Sequence, residues 1–215
     1  MAATIIAYPP SAGGNHLKNM MCCGTEFGNS SDLNINVYTD TTQPLGTVHS
    51  RPGRNLKQST VDNACNEQLN YIVHGHFGEL ARYRDQLNSI GNCKYILITI
   101  DDQRDRQLLT SRQTRLGDAK HAYYNNEEQQ FLYQPQLYTT YFGGGKNHVY
   151  TITLYELWHP DLKQHDIINR LNNFLDIDID QTQAQRLHDL WWKNNFYFKF
   201  SNFERNIYGK AHDQI

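Results

Sequence analysis

The segment from Ile5 to Cys23 constrains this chain most, because the backbone must change habit twice within it. It reads Ile5-Ile6-Ala7-Tyr8-Pro9-Pro10-Ser11-Ala12-Gly13-Gly14-Asn15-His16-Leu17-Lys18-Asn19-Met20-Met21-Cys22-Cys23. A short apolar run, Thr4 to Tyr8, stops at two prolines, passes two glycines and resumes with apolar residues at helical spacing. The pattern predicts a strand, a tight loop of small residues and a helix. Such a loop directs several backbone N–H groups and the positive end of the helix dipole at one point, where an anion, most often a phosphate, is held. The same pattern also makes an ordinary strand-to-helix turn, with Ser11 as a capping hydroxyl. It is not a Walker A loop: no Gly-Lys-Ser/Thr follows and Lys18 falls inside the helix, which disfavours ordinary ATP or GTP hydrolysis.

Further on, apolar runs alternate with helical patterns. Gly24 to Ser31 reads as a polar turn and Ile35 to Tyr38 as a short strand. Thr39 to Ser59, with Pro44, Gly46, Pro52 and Gly53, reads as a long loop carrying Arg51, Arg54 and Lys57. Tyr71-Ile72-Val73 is a second short strand, leaving into His74-Gly75-His76-Phe77-Gly78, and Glu79 to Leu87 has helical spacing. Tyr95 to Ile100 is the most apolar run and predicts a strand buried on both faces, the signature of a parallel sheet under helices. A helix is expected over Asp105 to Gln113, then a polar, tyrosine-rich stretch over Asp118 to Phe142, broken by Pro135 and expected to be helical first and irregular after, and a flexible hinge or loop at Gly143-Gly144-Gly145.

Val149 to Leu157 predicts a strand running into a loop at His159-Pro160. Leu162 to Leu175 predicts one amphipathic helix, with Ile167, Ile168, Leu171, Phe174 and Leu175 on its apolar face. A last helix spans about Asp180 to Asn194, capped by Asp180 or Thr182. The tail from about 204 is expected to fray. Strands alternating with helices imply one doubly wound, three-layer α/β/α domain over residues 1–215 with a mainly parallel central sheet.

Composition narrows the partners. The formal net charge of −2 gives no global field towards nucleic acid or an anionic membrane. No stretch approaches membrane-spanning length and no secretory leader is evident, so a soluble cytoplasmic protein is expected. The four cysteines, Cys22, Cys23, Cys65 and Cys93, form no CxxC, so reduced and mostly buried thiols are expected and a zinc site is not. No metal is expected.

Four landmarks then fall in a familiar order. Tyr8-Pro9-Pro10-Ser11-Ala12-Gly13-Gly14-Asn15-His16-Leu17 resembles the Tyr-Pro-Lys-Ser-Gly-Thr-Thr-Trp-Leu loop of the sulfotransferase family. His74-Gly75-His76 resembles the family's strand-end Lys-Thr-His, and Tyr95 to Arg112 resembles its strand and helix bearing the 3′-phosphate contacts. Tyr155-Glu156-Leu157 and Asn173-Phe174-Leu175 resemble its late Tyr-Glu-Asp-Leu and Phe-Leu. The landmarks span roughly residues 4–195, with 114–148 unmatched.

The resemblance implies a P-loop NTPase-like sulfotransferase fold and the donor 3′-phosphoadenosine-5′-phosphosulfate (PAPS). It implies transfer of a sulfuryl group to a hydroxyl on a small-molecule or saccharide acceptor. It implies His76 as the catalytic base, with His74 where the family has lysine. Ser11, Ala12, Gly13, Gly14, Asn15 and His16 would hold the 5′-phosphate.

The chain also departs from the family. The family's loop lysine is Pro10 here, and its 3′-phosphate arginine and serine fall on Asp101 and Leu109. A shifted loop would let Arg104, Arg106 or Arg112 and Ser111 substitute. The alternatives are a non-catalytic protein binding a phosphorylated ligand or a partner on the same fold, and a P-loop phosphotransferase. Glu156 reads as structural. Trp191-Trp192 reads as core and helix seam, or as a stacking platform for a base or sugar. Tyr123-Tyr124 to Tyr141 reads as surface or as the lining of an acceptor pocket.

Overall fold

The computed structural model describes residues 3–9, 12–25, 71–76, 85, 93–100, 103–116 and 148–192. Four strands, β1 (Ala3–Tyr8), β2 (Tyr71–His76), β3 (Cys93–Thr99) and β4 (Val149–Thr153), form one sheet in the order β2-β1-β3-β4. Every neighbouring pair is parallel. Between them come α1 (Gly14–Met21) after β1 and α2 (Gln103–Leu116) after β3. After β4 follow α3 (Leu154–Leu157), a 3-10 turn (Leu162–His165), α4 (Ile167–Leu175) and α5 (Gln181–Trp192). The chain is therefore an α/β protein with a parallel sheet.

The unbroken apolar runs have a physical cause. Ile5, Ile6, Ala7 and Tyr8 of β1 and Tyr95, Ile96, Leu97 and Ile98 of β3 are all buried, so consecutive residues on both faces of the central strands are covered. Each such aliphatic side chain contributes about 1.5–3 kcal/mol relative to exposure, which makes the sheet centre a main source of stability. β4 at the end of the order is less covered, with Ile152 buried and Thr151 exposed.

Several boundaries differ from the expectation. β2 runs on through His74-Gly75-His76, beyond the Tyr71-Ile72-Val73 strand expected from the apolar run. β4 ends at Thr153, and Leu154–Leu157 is helical rather than extended. The cause is a capping box: the Thr153 hydroxyl accepts from the Glu156 N–H, while the Glu156 carboxylate accepts from the Thr153 N–H at 2.9 Å. The single helix expected over Leu162 to Leu175 is split. Asp166 takes a left-handed backbone (φ 52) that an α-helix cannot continue through, and Asn169 Nδ2 donates to its carboxylate at 2.6 Å. Beyond the break, Ile167, Ile168, Leu171 and Leu175 form the buried stripe as expected.

α2 is longer than expected, and α5 starts where Asp180 Oδ1 accepts from the Gln183 N–H at 2.9 Å, so Asp180 is the cap. The strand at 35–38, the 39–59 loop, most of the helix at 79–87, the 118–142 stretch, the glycine hinge and the tail lie outside the described residues.

Lys94 at the start of β3 ties the sheet to α4. Its ammonium donates to the Phe174 and Leu175 carbonyls at 2.9 and 3.0 Å, two acceptors left without intrahelical donors at the helix end. Lys94→Met is expected to lower unfolding stability by about 1–3 kcal/mol in urea titrations. The same change at exposed Lys163 should stay within about 0.5 kcal/mol.

Candidate functional site

The turn after β1 is built by close approach. Gly13 has φ 91, a left-handed conformation suited to glycine, and caps α1. A side chain on Gly14 would run into the Tyr8 ring, so the ring lies directly on the first helical residue. The Ala12 N–H donates to the Pro9 carbonyl at 3.1 Å, and the Ala12 carbonyl accepts from Trp158 Nε1 at 2.9 Å. Ala12, Gly13 and Gly14 are buried beneath these contacts. The N–H groups of Gly14, Asn15 and His16 belong to the helix's first turn, where no intrahelical acceptor exists. Ser11 and Pro10 lie outside the described residues.

All eight residues of α1 are buried, including Asn15, His16, Lys18 and Asn19. Among the site residues expected from sequence, His16 has its side chain committed elsewhere than the turn. Its Nε2 lies 2.8 Å from His188 Nδ1, and its ring stacks on Trp191 at 4.2 Å with an interplanar angle of 4°. His188 Nε2 lies 2.6 Å from the His159 carbonyl, which can only accept, so Nε2 carries a proton. Burial holds His188 neutral, with its pKa down at about 4 despite the bond to the His159 carbonyl. Its Nδ1 is therefore an acceptor, and His16 must donate from Nε2–H. Trp192 Nε1 donates to the Trp158 carbonyl at 3.0 Å. Trp191 and Trp192 are thus buried, and neither serves as an open stacking platform.

Lys18 is the residue that sequence reasoning undervalued. It is fully buried, its Nζ makes no hydrogen bond, and burial lowers its pKa to about 8. Asn15 Oδ1, one turn earlier, is likewise buried without a donor. Only the completeness of α1's burial reveals this, since a lysine next to Asn19 and one turn from Asn15 reads as a solvated face. Cys22 and Cys23 are buried free thiols, as expected, and burial pushes both up to about 12, which keeps them unreactive.

The carboxyl edge of the sheet gathers some of the other expected residues. Register pairs Tyr8 with His76 and Ile6 with His74. Arg104 lies in the first turn of α2, exposed, with its guanidinium carbon 3.7 Å from the centre of the Tyr155 ring. Ser111 is half-buried, about 10 Å further along α2 at 1.5 Å per residue. Arg112 is helical, and its side chain lies outside the described residues, as does Asp101. Leu109, which falls where the family has serine, is core.

Beside Arg104, Asp105 is buried and accepts from the Tyr155 N–H at 3.0 Å, joining α2 to α3. The rings of Tyr155, His159 and His165 pack edge-on within 6 Å of one another. Burial lowers the His159 pKa, against the opposing pull of its contact with Asp161. Glu156 bonds Arg170 at 2.9 Å as well as capping α3, a structural role. Among the described residues no three His, Cys, Asp or Glu side chains converge as a metal site, and no helix is long and apolar enough to cross a membrane.

Lys18 carries a pH prediction. Its folded pKa is below the ordinary 10.5, so the unfolded chain binds its proton more tightly. Burial thus costs stability at pH 7, and wild-type stability recovers as pH rises from about 8 to about 10.5. Lys18→Met is expected to raise the urea-unfolding free energy at pH 7 by about 1–3 kcal/mol, an advantage that shrinks at pH 10. A destabilised Lys18→Met protein would mean that the ammonium has a partner. Set against protein-family models, curated proteins and solved structures, the chain matches none.

Proposed function

We propose that this is a sulfotransferase-like protein in which the turn after β1 receives the 5′-phosphate of PAPS and His76 takes the proton of an acceptor hydroxyl. Register carries this reading: the last residue of β1, Tyr8, pairs with the last residue of β2, His76. The histidine backbone therefore stands beside the strand that feeds the turn. Ligands of open parallel sheets bind outside the carboxyl ends, where neighbouring connections leave to opposite faces.

With right-handed crossovers, the order β2-β1-β3-β4 sends the chain after β1 to one face and the chain after β3 to the other. That divergence supports a three-layer arrangement with a crevice above β1 and β3. The N–H groups of Gly13, Gly14, Asn15 and His16, with Ser11, meet the 5′-phosphate. Arg104 is nearer the crevice than Ser111 or Arg112 and supplies positive charge. In the transfer, the acceptor oxygen attacks sulfur while His76 removes its proton. The bond from sulfur to the 5′-phosphate oxygen breaks, and 3′-phosphoadenosine-5′-phosphate leaves.

A specific observation favours the non-catalytic reading on the same fold. The Ala12–Gly14 turn is covered by Tyr8, Trp158 and Trp191, and both backbone polar groups of Ala12 are already bonded. Titration calorimetry of the full chain with 3′-phosphoadenosine-5′-phosphate, with ATP as control, separates the two. The proposal expects micromolar binding of the first and at least tenfold weaker binding of ATP. Binding should persist in His76→Ala, since the base touches the acceptor and not this nucleotide. No binding of either nucleotide would overturn the proposal and leave the non-catalytic reading, whereas tighter, magnesium-dependent ATP binding would indicate a phosphotransferase.

A further inference from the structure

We infer that the hydrogen-bonded pair His16–His188 is an acid-sensitive latch: a proton taken up by the pair leaves a positive charge buried at this contact and frees α1, with the turn it carries, from α5. The inference rests on the geometry of the pair and stands apart from the nucleotide reading.

Both nitrogens of His188 are engaged, Nε2 donating to the His159 carbonyl at 2.6 Å and Nδ1 accepting from His16 Nε2–H at 2.8 Å. A proton arriving at Nδ1 sets two donors head to head across that contact. A shift of the His16 tautomer would restore one hydrogen bond, yet it would leave a full positive charge in a fully buried place. Among the described residues, the groups facing it offer little compensation. From the segment after α3 come the His159 ring, which opposes the charge, and Asp161, which favours it. On its own helix lie the stacked Trp191 and Asp189, whose carboxyl is itself held above the usual range by burial. α1 contributes His16 and carries the buried Lys18.

Release at this joint reaches the turn. Trp191 stacks on His16 and also lies 3.5 Å from the point where a Gly13 side chain would begin, so one ring touches both the helix and its cap. Trp158, bonded to the Ala12 carbonyl, in turn accepts from Trp192 of α5 through its own carbonyl. Opening α1 from α5 would expose His188 to water and restore an ordinary histidine, so acid favours the open form.

Hydrogen exchange read by mass spectrometry on the full chain tests this at pH 7 and pH 5, corrected for intrinsic exchange rates. Exchange in peptides covering residues 12–23 is expected to accelerate on the order of tenfold at pH 5, while α4 keeps its protection. In His188→Gln the amide retains one acceptor for His16 and one donor for the His159 carbonyl but takes up no proton, so the acceleration should vanish. Unchanged exchange in α1, equal acceleration in His188→Gln, or simultaneous loss in α1 and α4 would each overturn the latch. Should His188→Gln fail to fold, the imidazole 15N shifts of the wild-type chain decide. The latch requires the His188 Nδ1 shift to move over the same pH interval in which α1 loses protection, and a stationary shift overturns it.

Discussion

One N–H···N hydrogen bond joins α1 to α5 through His16 and His188, residues 172 apart in sequence. It fixes the tautomers of both rings and sets His16 flat on Trp191. It also brings α5 against the helix that follows the first strand. Because Trp191 and Trp158 also close over Gly13 and Ala12, the shape of the turn depends on α5 as much as on its own glycines. All three tryptophans of the chain lie within this joint. A single buried junction thus sets the position of α1, the conformation of the turn and the seating of the last described helix.

The junction is polar where a core is usually apolar, and that has consequences for function. α1 holds Asn15, His16, Lys18 and Asn19 inside the protein, so its covering must satisfy several donors and acceptors at once. Lys18 and Asn15 Oδ1 are left over, a local cost that a purely structural helix would avoid with apolar residues. The turn after β1 is itself covered by Tyr8, Trp158 and Trp191. A ligand entering there must use the first-turn N–H groups of α1, since both backbone groups of Ala12 are committed.

The sheet was the legible part of the fold. Thr4 to Tyr8 and Tyr95 to Ile100 are continuous apolar runs because both faces of β1 and β3 are covered, and that fact alone argues for parallel pairing. The Asp180 cap of α5 and the apolar stripe of α4 were legible for similarly local reasons. The break at Asp166 was not, because the apolar spacing continues across it while one left-handed residue resets the backbone. The Thr153-x-x-Glu156 capping box was present in the sequence but masked by the β-branched run before it. At the site, the turn and the carboxyl-edge position of His76 were accessible from pattern and resemblance. The His16–His188 pair was not, since two histidines far apart in the chain carry no mutual signal until the fold brings them together.

The measurement that tests the account most directly is a trans-hydrogen-bond 15N–15N coupling between His16 Nε2 and His188 Nδ1, recorded by NMR at pH 7 on the wild-type chain. The account predicts a resolved coupling, with the shared proton on His16 and an unprotonated Nδ1 shift for His188. Absence of the coupling, with the two rings titrating independently near the ordinary histidine pKa of about 6.5, would contradict the joint on which the turn, α1 and α5 are argued to depend.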